Sequence, residues 1–291
     1  MELRVLQYFL AVTREQSISG AAEFLHLSQP TLSRQLKDME DELGKQLLIR
    51  GKRKITLTEE GMILRKRAEE IMELVRKTEN EISLSNEAVA GDIYIGTGET
   101  DGVRLLSKAA RELQNTYPGI SFHIASGDAQ TVLEQLDKGL IDFGLLLGKI
   151  DLSKYDSIKL HQKDIWGVLM RCDSELAKKE AITSADLYGK PLIISRQAYQ
   201  NNDFLEWLGK GNKEPNIVAT YNLIYNGSLM VDEGMGYAIC LDKIINTSGD
   251  SSLCFRPLYP KMELEMHIIW KKYQVFTKAS EKFLQKLQDL V

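Results

Sequence analysis

Residues 17–44 read SISGAAEFLHLSQPTLSRQLKDMEDELG, and their pattern decides the architecture of the N-terminal part. Either Ser17 or Ser19 can cap a helix that runs through Ala21, Ala22 and Leu25. The two alanines permit the close backbone approach that a tight helix–helix crossing needs. After the short connection His26-Leu27, Ser28 can cap a further helix, with Pro30 tolerated in the first turn because its missing N–H has no partner there. Leu32, Leu36, Met39 and Leu43 step by 4, 3 and 4, which predicts one buried stripe. The other face presents Gln29, Ser33, Arg34 and Lys37. Gln and Arg can bond a base edge through two hydrogen bonds, and Ser reaches base or phosphate, so this face has the chemistry of a helix that enters the DNA major groove. An ordinary amphipathic surface helix is the plain alternative for any one of these residues.

On the N-terminal side, Leu3, Leu6, Phe9 and Leu10 mark an amphipathic helix ending near Arg14. On the other side come Leu47-Leu48-Ile49, the turn Arg50-Gly51-Lys52-Arg53 and the alternating Lys54-Ile55-Thr56-Leu57, which predict a β-hairpin with a basic tip. Such a wing would lay Arg50, Arg53 and Lys54 along the DNA backbone or into the minor groove. Thr58 with Glu59 and Glu60 is a helix start. From there to about Val89 no proline intervenes, and Leu64, Ala68, Ile71, Val75, Thr78, Ile82, Ser85 and Val89 alternate steps of 4 and 3. This heptad seam, weakened by Thr and Ser, predicts pairing with a second subunit; a solitary surface helix is the alternative.

The 291 residues carry a net charge of −4, unevenly spread. Residues 1–58 hold nine Lys and Arg against seven Asp and Glu, and the rest hold 28 against 34. Leu43 to Thr58 contains five basic residues and no acid, so a small, locally basic module precedes a larger acidic one. No apolar run reaches the ~20 residues a membrane span needs, and the opening MELRVLQYFLAVTREQ lacks the pattern of a signal peptide. A cytoplasmic protein with no membrane partner is expected. Cys172, Cys240 and Cys254 are widely spaced without a CxxC, which predicts neither a disulfide framework nor a thiolate metal site. They read as small buried hydrophobes.

The stretch 17–44, followed by LLIRGKRKITLTEEG at 47–61, resembles the LysR-type transcriptional regulators. The likeness is carried by Ala21-Ala22, Leu27-Ser28-Gln29-Pro30, Leu32-Ser33-Arg34-Gln35, Glu40, Leu43-Gly44 and Leu57-Thr58-Glu59, in that family's order and at its distance from the N-terminus. The resemblance implies a homodimer formed through antiparallel linker helices, often a tetramer, on an interrupted dyad in double-stranded promoter DNA, with RNA polymerase a further partner. It also implies DNA contacts from Gln29, Pro30, Thr31, Ser33 and Arg34, with Arg53 from the wing. Ile49 departs from the family, which commonly has Phe nearby; that is a core substitution.

From Gly91 the pattern changes to alternating strand and helix. Strands are predicted at Ile93–Ile95, Ile120–Ala125 and Ile141–Leu147, with helices at Val103–Tyr117 and Ala129–Lys138 between them. Further strands are predicted at Ile165–Met170, Leu192–Ser195, Ile217–Tyr221, Tyr237–Leu241 and Glu265–Trp270, before a final helix from Thr277. The alternation implies a parallel sheet with right-handed crossovers. The resemblance implies two subdomains joined by crossing segments, like a periplasmic binding protein, with the last strand and helix returning to the first. The expected fold class is thus α+β multidomain. It comprises a winged helix-turn-helix over 1–58, a long linker helix over 59–89 and an α/β periplasmic-binding-protein-like effector domain over 90–291. Within the last, subdomain I takes about 90–161 plus 266–291 and subdomain II about 162–265.

Gly96-Thr97-Gly98, with Gly102 behind it and Asp128 after the next strand, imitates a dinucleotide fingerprint. The spacing is GxGxxxG, however, and Glu99 and Asp101 would repel a pyrophosphate. No GxSxG, HExxH or P-loop occurs and the four histidines are scattered, so neither a catalytic site, a metal site nor a cofactor is expected. A small-molecule effector is expected instead, since ligands of such folds sit at the carboxyl ends of strands, beside helix N-termini. The candidates are Gly98, Glu99 and Thr100, then Ser126, Gly127 and Asp128, then Ser195, Arg196 and Gln197, and lastly Ser228 in Asn226-Gly227-Ser228, read as opening a helix. In the resembling family Thr100 falls where a Ser or Thr often receives the effector. Plain turns and caps are the alternative at 126–128 and 226–228. Glu99 and Asp128 disfavour a purely anionic effector against a cationic, zwitterionic or neutral one, unless Arg104 or Arg196 offsets them. The second function class left open is a ligand-binding or nucleotide-dependent enzyme domain with an accessory DNA-binding module.

Overall fold

Two serines divide the first helices: Ser17 accepts the Gly20 N–H and Ser28 accepts the Thr31 N–H. The computed structural model describes residues 1–51, 54–83, 89–200, 203–209 and 215–291, which form two units, Met1–Ser85 and Asn86–Val291. In the first, α1 (Leu3–Glu15), α2 (Ile18–Phe24) and α3 (Gln29–Leu43) bury Leu6, Phe9, Ala21, Ala22, Leu32, Leu36 and Met39 against one another. The predicted stripe on α3 stops short. Leu43 is 41% exposed, where Gly44 takes a left-handed conformation (φ 62°) and ends the helix.

Strands β1 (Leu48–Arg50) and β2 (Ile55–Leu57) pair antiparallel, with Leu48 opposite Leu57 and Arg50 opposite Ile55. Arg50 thus belongs to a strand and not to the turn; Lys52 and Arg53 lie outside the described residues. Helix α4 (Glu59–Ser83) starts where the Thr58 hydroxyl accepts the Gly61 N–H at 3.0 Å. Gly61 is required there, because a Cβ would stand 2.2 Å from the Leu47 carbonyl oxygen. The expected heptad seam is divided. Leu64, Ala68 and Ile71 pack on the core of their own unit, while Ile82 is 78% exposed. Ser85 lies outside the described residues, and Val89 stands beyond the helix and packs on the core of the second unit.

The second unit begins with β3 (Gly91–Thr97), α5 (Val103–Thr116), β4 (Ile120–Ser126), α6 (Ala129–Asp137), β5 (Phe143–Leu147) and β6 (Tyr155–Lys159). Then come β7 (Asp164–Arg171), α7 (Ser184–Leu187), β8 (Leu192–Ser195), α8 (Arg196–Gln200), α9 (Asp203–Leu208) and β9 (Ile217–Tyr221). The chain closes with α10 (Ile224–Asp232), β10 (Tyr237–Leu241), β11 (Leu253–Pro257), β12 (Glu263–Leu264), β13 (Met266–Lys271) and α11 (Lys278–Leu290). One sheet has the order β4-β3-β5-β13-β6 and the other β11-β7-β10-β8-β9, with β12 also on β7. Subdomain I below means the part built on the first sheet and subdomain II the part built on the second.

Neither sheet is purely parallel, which corrects the expectation. β3 pairs parallel with β4 and β5, but β13 runs antiparallel to β5 and β6. In the second sheet β8 pairs parallel with β9 and β10, and β7 runs antiparallel to β10 and β11. The cause is the chain's return: β13 enters the first sheet from the second, against the direction of β5. Of the cysteines only Cys240 is buried; Cys172 is exposed and Cys254 is partly so, because Cys172 follows the end of β7 and Cys254 sits on the outermost strand of its sheet. No helix among the described residues is long and apolar enough to cross a membrane.

Candidate nucleic-acid interface and ligand cavity

Helix α3 turns its buried side to α1 and α2 through Leu32, Leu36 and Met39, so its opposite side is left to solvent. Gln29, Pro30, Thr31, Arg34 and Lys37 are exposed on it, and Ser33 is half-buried. The Arg34 side chain is 83% exposed, and among the described residues it pairs with Asp38, at 3.8 Å one turn along. A surface pair of this kind is worth about 0.3–0.5 kcal/mol, so it leaves the guanidinium available to an outside acceptor. The Thr31 hydroxyl lies 2.7 Å from the Ser28 hydroxyl, within the cap of the helix. Arg50 and Lys54 are exposed at the hairpin. The hairpin is fixed to the helix by Glu40, whose carboxylate accepts the backbone N–H groups of Leu47 at 2.6 Å and Leu48 at 3.0 Å. Two basic elements are thereby held at a set distance from each other.

In the second unit a cavity of about 620 Å3 opens beside the carboxyl end of β3. Gly98, Glu99, Thr100 and Ser126 line it, as do Asp101, Arg104, Lys108, Arg111 and Lys243, with Val103, Ile124 and Ile244 as apolar wall. The acids are committed. Asp101 accepts from Arg104 at 2.5 Å and from Gln162 at 3.2 Å, and Glu99 accepts the backbone N–H of Ile224 across the subdomains. Burial pushes the Glu99 carboxyl up, more than the Ile224 hydrogen bond pulls it down. By contrast, Lys108, Arg111 and Lys243 make no ion pair within 4 Å among the described residues; Lys108 and Arg111 act on Glu112, and Lys243 on Asp164, only at longer range.

Thr100 accepts the Gly102 N–H at 3.0 Å and donates its hydroxyl to the buried Asp164 at 2.5 Å. Burial pushes the Asp164 carboxyl up, the Thr100 hydrogen bond opposing it. The remaining candidates divide. Asp128 caps α6 by accepting the Thr131 N–H; hydrogen bonds from the Thr131 side chain and then its N–H hold the carboxyl below the usual range, with Arg196 nearby contributing, and Gln197 accepts the Ala129 N–H at 3.4 Å. Gly127 donates its N–H to Thr97, and Ser195 accepts the Ala198 N–H as a helix cap. The helix expected to open at Asn226 begins at Ile224 instead, so Ser228 lies inside it, buried, with its hydroxyl given to the Tyr225 carbonyl at 2.7 Å. It does not line the cavity. Asp164, Lys108, Arg111 and Lys243 were not singled out in the sequence. Arg104, Lys108 and Arg111 do repeat at helical spacing, and Asp164 is an acid opening an apolar strand.

Two family models match the chain. The bacterial regulatory helix-turn-helix protein of the lysR family matches residues 3–62, and the LysR substrate binding domain matches residues 86–291. The chain belongs to the LysR-type transcriptional regulators. This regulator is 32% identical over 245 residues to the HTH-type transcriptional regulator BsdA of Bacillus subtilis, covering 82% of its own length and 83% of that protein. It is 29% identical to the Hca operon transcriptional activator HcaR of Escherichia coli, with 94% and 92% of the two chains covered. A crystal structure of CbnR, a LysR family regulator, matches the regulator's whole length and 99% of its own at 18% identity with a TM-score of 0.78. The regulator binds DNA through its N-terminal module and carries an effector domain; it is not an enzyme, and the nucleotide-dependent alternative is set aside.

Proposed function

We propose that this regulator reports a small organic anion to promoter DNA. One observation carries the effector's charge: Lys108, Arg111 and Lys243 line a single cavity with no ion pair within 4 Å among the described residues, while its acids Glu99 and Asp101 are already bonded. Three cations without a close carboxylate around a partly enclosed space raise the local potential and favour an anion. Of the two acids weighed in the sequence, Asp128 is offset by Arg196, while Glu99 is met by the Ile224 N–H and by no arginine; Arg104 pairs with Asp101 instead. An acid with one or two carboxylates or phosphates and an apolar body fits this lining; about 620 Å3 is within the usual range of ligand cavities.

On the DNA side, Gln29, Ser33 and Arg34 read base edges, Pro30, Thr31 and Lys37 approach the backbone, and Arg50 and Lys54 hold phosphates, joined by Arg53. The effector shifts the relation of the two subdomains, and in a homodimer or homotetramer that shift alters the spacing of the DNA-binding modules. The exposed Ile63, Leu74 and Ile82 on α4 support pairing through that helix. Contact with RNA polymerase at the promoter is part of the same reading.

Thermal melting of the full-length protein against a panel of small acids and amines tests the effector class. A ligand at a hundred times its Kd stabilises by about 2.7 kcal/mol. Acids are expected to raise the Tm, and the double variant Arg111→Ala, Lys243→Ala to lose that shift; a shift given by amines alone contradicts the reading.

A further inference from the structure

Strand β11 runs antiparallel to β7 with Leu253 opposite Arg171 and Cys254 opposite Met170. The Cys172 N–H donates to the Ser252 carbonyl at 2.7 Å, which extends the ladder one residue past the end of β7. Side chains on a strand alternate between faces, so Met170, Cys172 and Cys254 point to the same side of the sheet, and the two cysteines are diagonal neighbours. Their sulfurs sit accordingly. The Cys254 thiol donates to the Arg171 carbonyl at 4.0 Å, the peptide that leads into Cys172, and the Cys172 thiol donates to the Ser251 carbonyl at 3.5 Å. Burial pushes the Cys254 thiol up, and the Cys172 thiol beside it adds to the effect.

The pair is open to reagents, since Cys172 is exposed and Cys254 is partly so. Cys240 is not: it is buried, and burial pushes its thiol up to about 12. No third His, Cys, Asp or Glu among the described residues completes a metal-binding group around the two thiols. Diagonal Cα atoms on paired strands lie about 7–8 Å apart, beyond the usual disulfide reach of about 4.4–6.8 Å. A bond between them therefore requires a local shift, and Cys172 lies in the turn after β7, where the chain is no longer held on both sides by the sheet. A strained, exposed disulfide is reduced more readily than a structural one, so this position suits reversible modification.

We infer that Cys172 and Cys254 form a redox-modifiable dithiol that closes to a reversible disulfide under attack by a hydroperoxide. The exposed Cys172 thiolate attacks the peroxide, the O–O bond breaks, and with hydrogen peroxide one water leaves as the sulfur becomes a sulfenic acid. The Cys254 sulfur then attacks that sulfur, the S–O bond breaks, a second water leaves and the S–S bond forms. Two electrons pass from the two thiols to the peroxide, and both thiol protons end in water. A free thiol reverses the bond by exchange.

Reduced full-length protein is treated with hydrogen peroxide, its remaining thiols are alkylated, and it is mapped by mass spectrometry without reduction. The expected product has lost two hydrogens, takes up label on Cys240 alone after unfolding, yields a peptide joining Cys172 to Cys254, and returns to three free thiols with dithiothreitol. Cys254→Ser is expected to keep Cys172 oxidisable but abolish the cross-link, and Cys240→Ser to leave it intact. If Cys172 gains two oxygens while Cys254 stays free for alkylation, or neither thiol reacts, the inference is overturned.

Discussion

The Glu99 carboxylate, just past the end of β3, accepts the backbone N–H of Ile224, the first residue of α10. Leu223 precedes that helix and offers no side-chain cap, so an acid 125 residues away in the sequence takes the place of one. This contact ties subdomain I to subdomain II, as do Gln197 with Ala129 and Thr100 with Asp164. A ligand that alters any of the three alters the relation of the subdomains.

Glu99 should make stability depend on pH with a defined sign. Burial raises its carboxyl above the ordinary glutamate value, so just above that value the folded state holds a proton that the unfolded state has lost. Stability from this group is therefore greatest at low pH and falls as pH rises through the folded value. Glu99→Gln keeps an oxygen for the Ile224 N–H and cannot ionise. The Tm of the variant minus that of the unmodified protein is expected to grow from pH 4.5 toward neutrality and then level off. A difference that does not change with pH refutes the assignment.

Thr100 and Asp164 should behave as one unit in a double-mutant cycle. Thr100→Val leaves a buried carboxylate without its donor, a loss of about 1–3 kcal/mol in urea unfolding. Thr100→Ser, which retains the hydroxyl, is expected to lose much less. Adding Asp164→Asn to Thr100→Val should cost less than the sum of the two single changes, because the second substitution removes the charge that the first left stranded. Additive losses would show that the pair is not coupled.

Much of the fold was legible where local chemistry sufficed. Leu192–Ser195, Ile217–Tyr221 and Tyr237–Leu241 are apolar or β-branched runs between turn residues, and each forms a strand over those same residues. Tyr155–Lys159 and Leu253–Pro257 went unread, since YDSIK has little apolar signal and LCFRP carries Arg and Pro; both lie at the outer edges of their sheets. The exposed end of the α3 stripe at Leu43 is a tertiary outcome, because a helix pattern does not say how far its partner helices extend. The ligand cavity was half legible for the same reason. Glu99 and Thr100 follow a strand, but Lys243 joins them only once β10 is in place.

Glu40 should control DNA affinity without touching DNA. Glu40→Ala deprives the Leu47 and Leu48 N–H groups of their acceptor and frees the hairpin from α3. The expected loss of stability is about 2 kcal/mol, with weaker binding to every duplex tested. Gly61→Ala should disturb the same junction through its clash with the Leu47 carbonyl. Melting and anisotropy titrations on the two variants check both effects, and unchanged affinity in a stably folded Glu40→Ala would remove the hairpin from the interface.

The central claim is that α3 reads sequence while the hairpin supplies charge, and fluorescence anisotropy with operator and unrelated duplexes over a range of salt tests it most directly. Arg34→Ala is expected to lose about 1–3 kcal/mol of discrimination between the two duplexes. Lys54→Ala is expected to weaken both complexes together and to flatten the salt slope by about 0.9. Equal loss of discrimination from the two substitutions, or a salt slope untouched by Lys54→Ala, would contradict the division of labour between helix and wing.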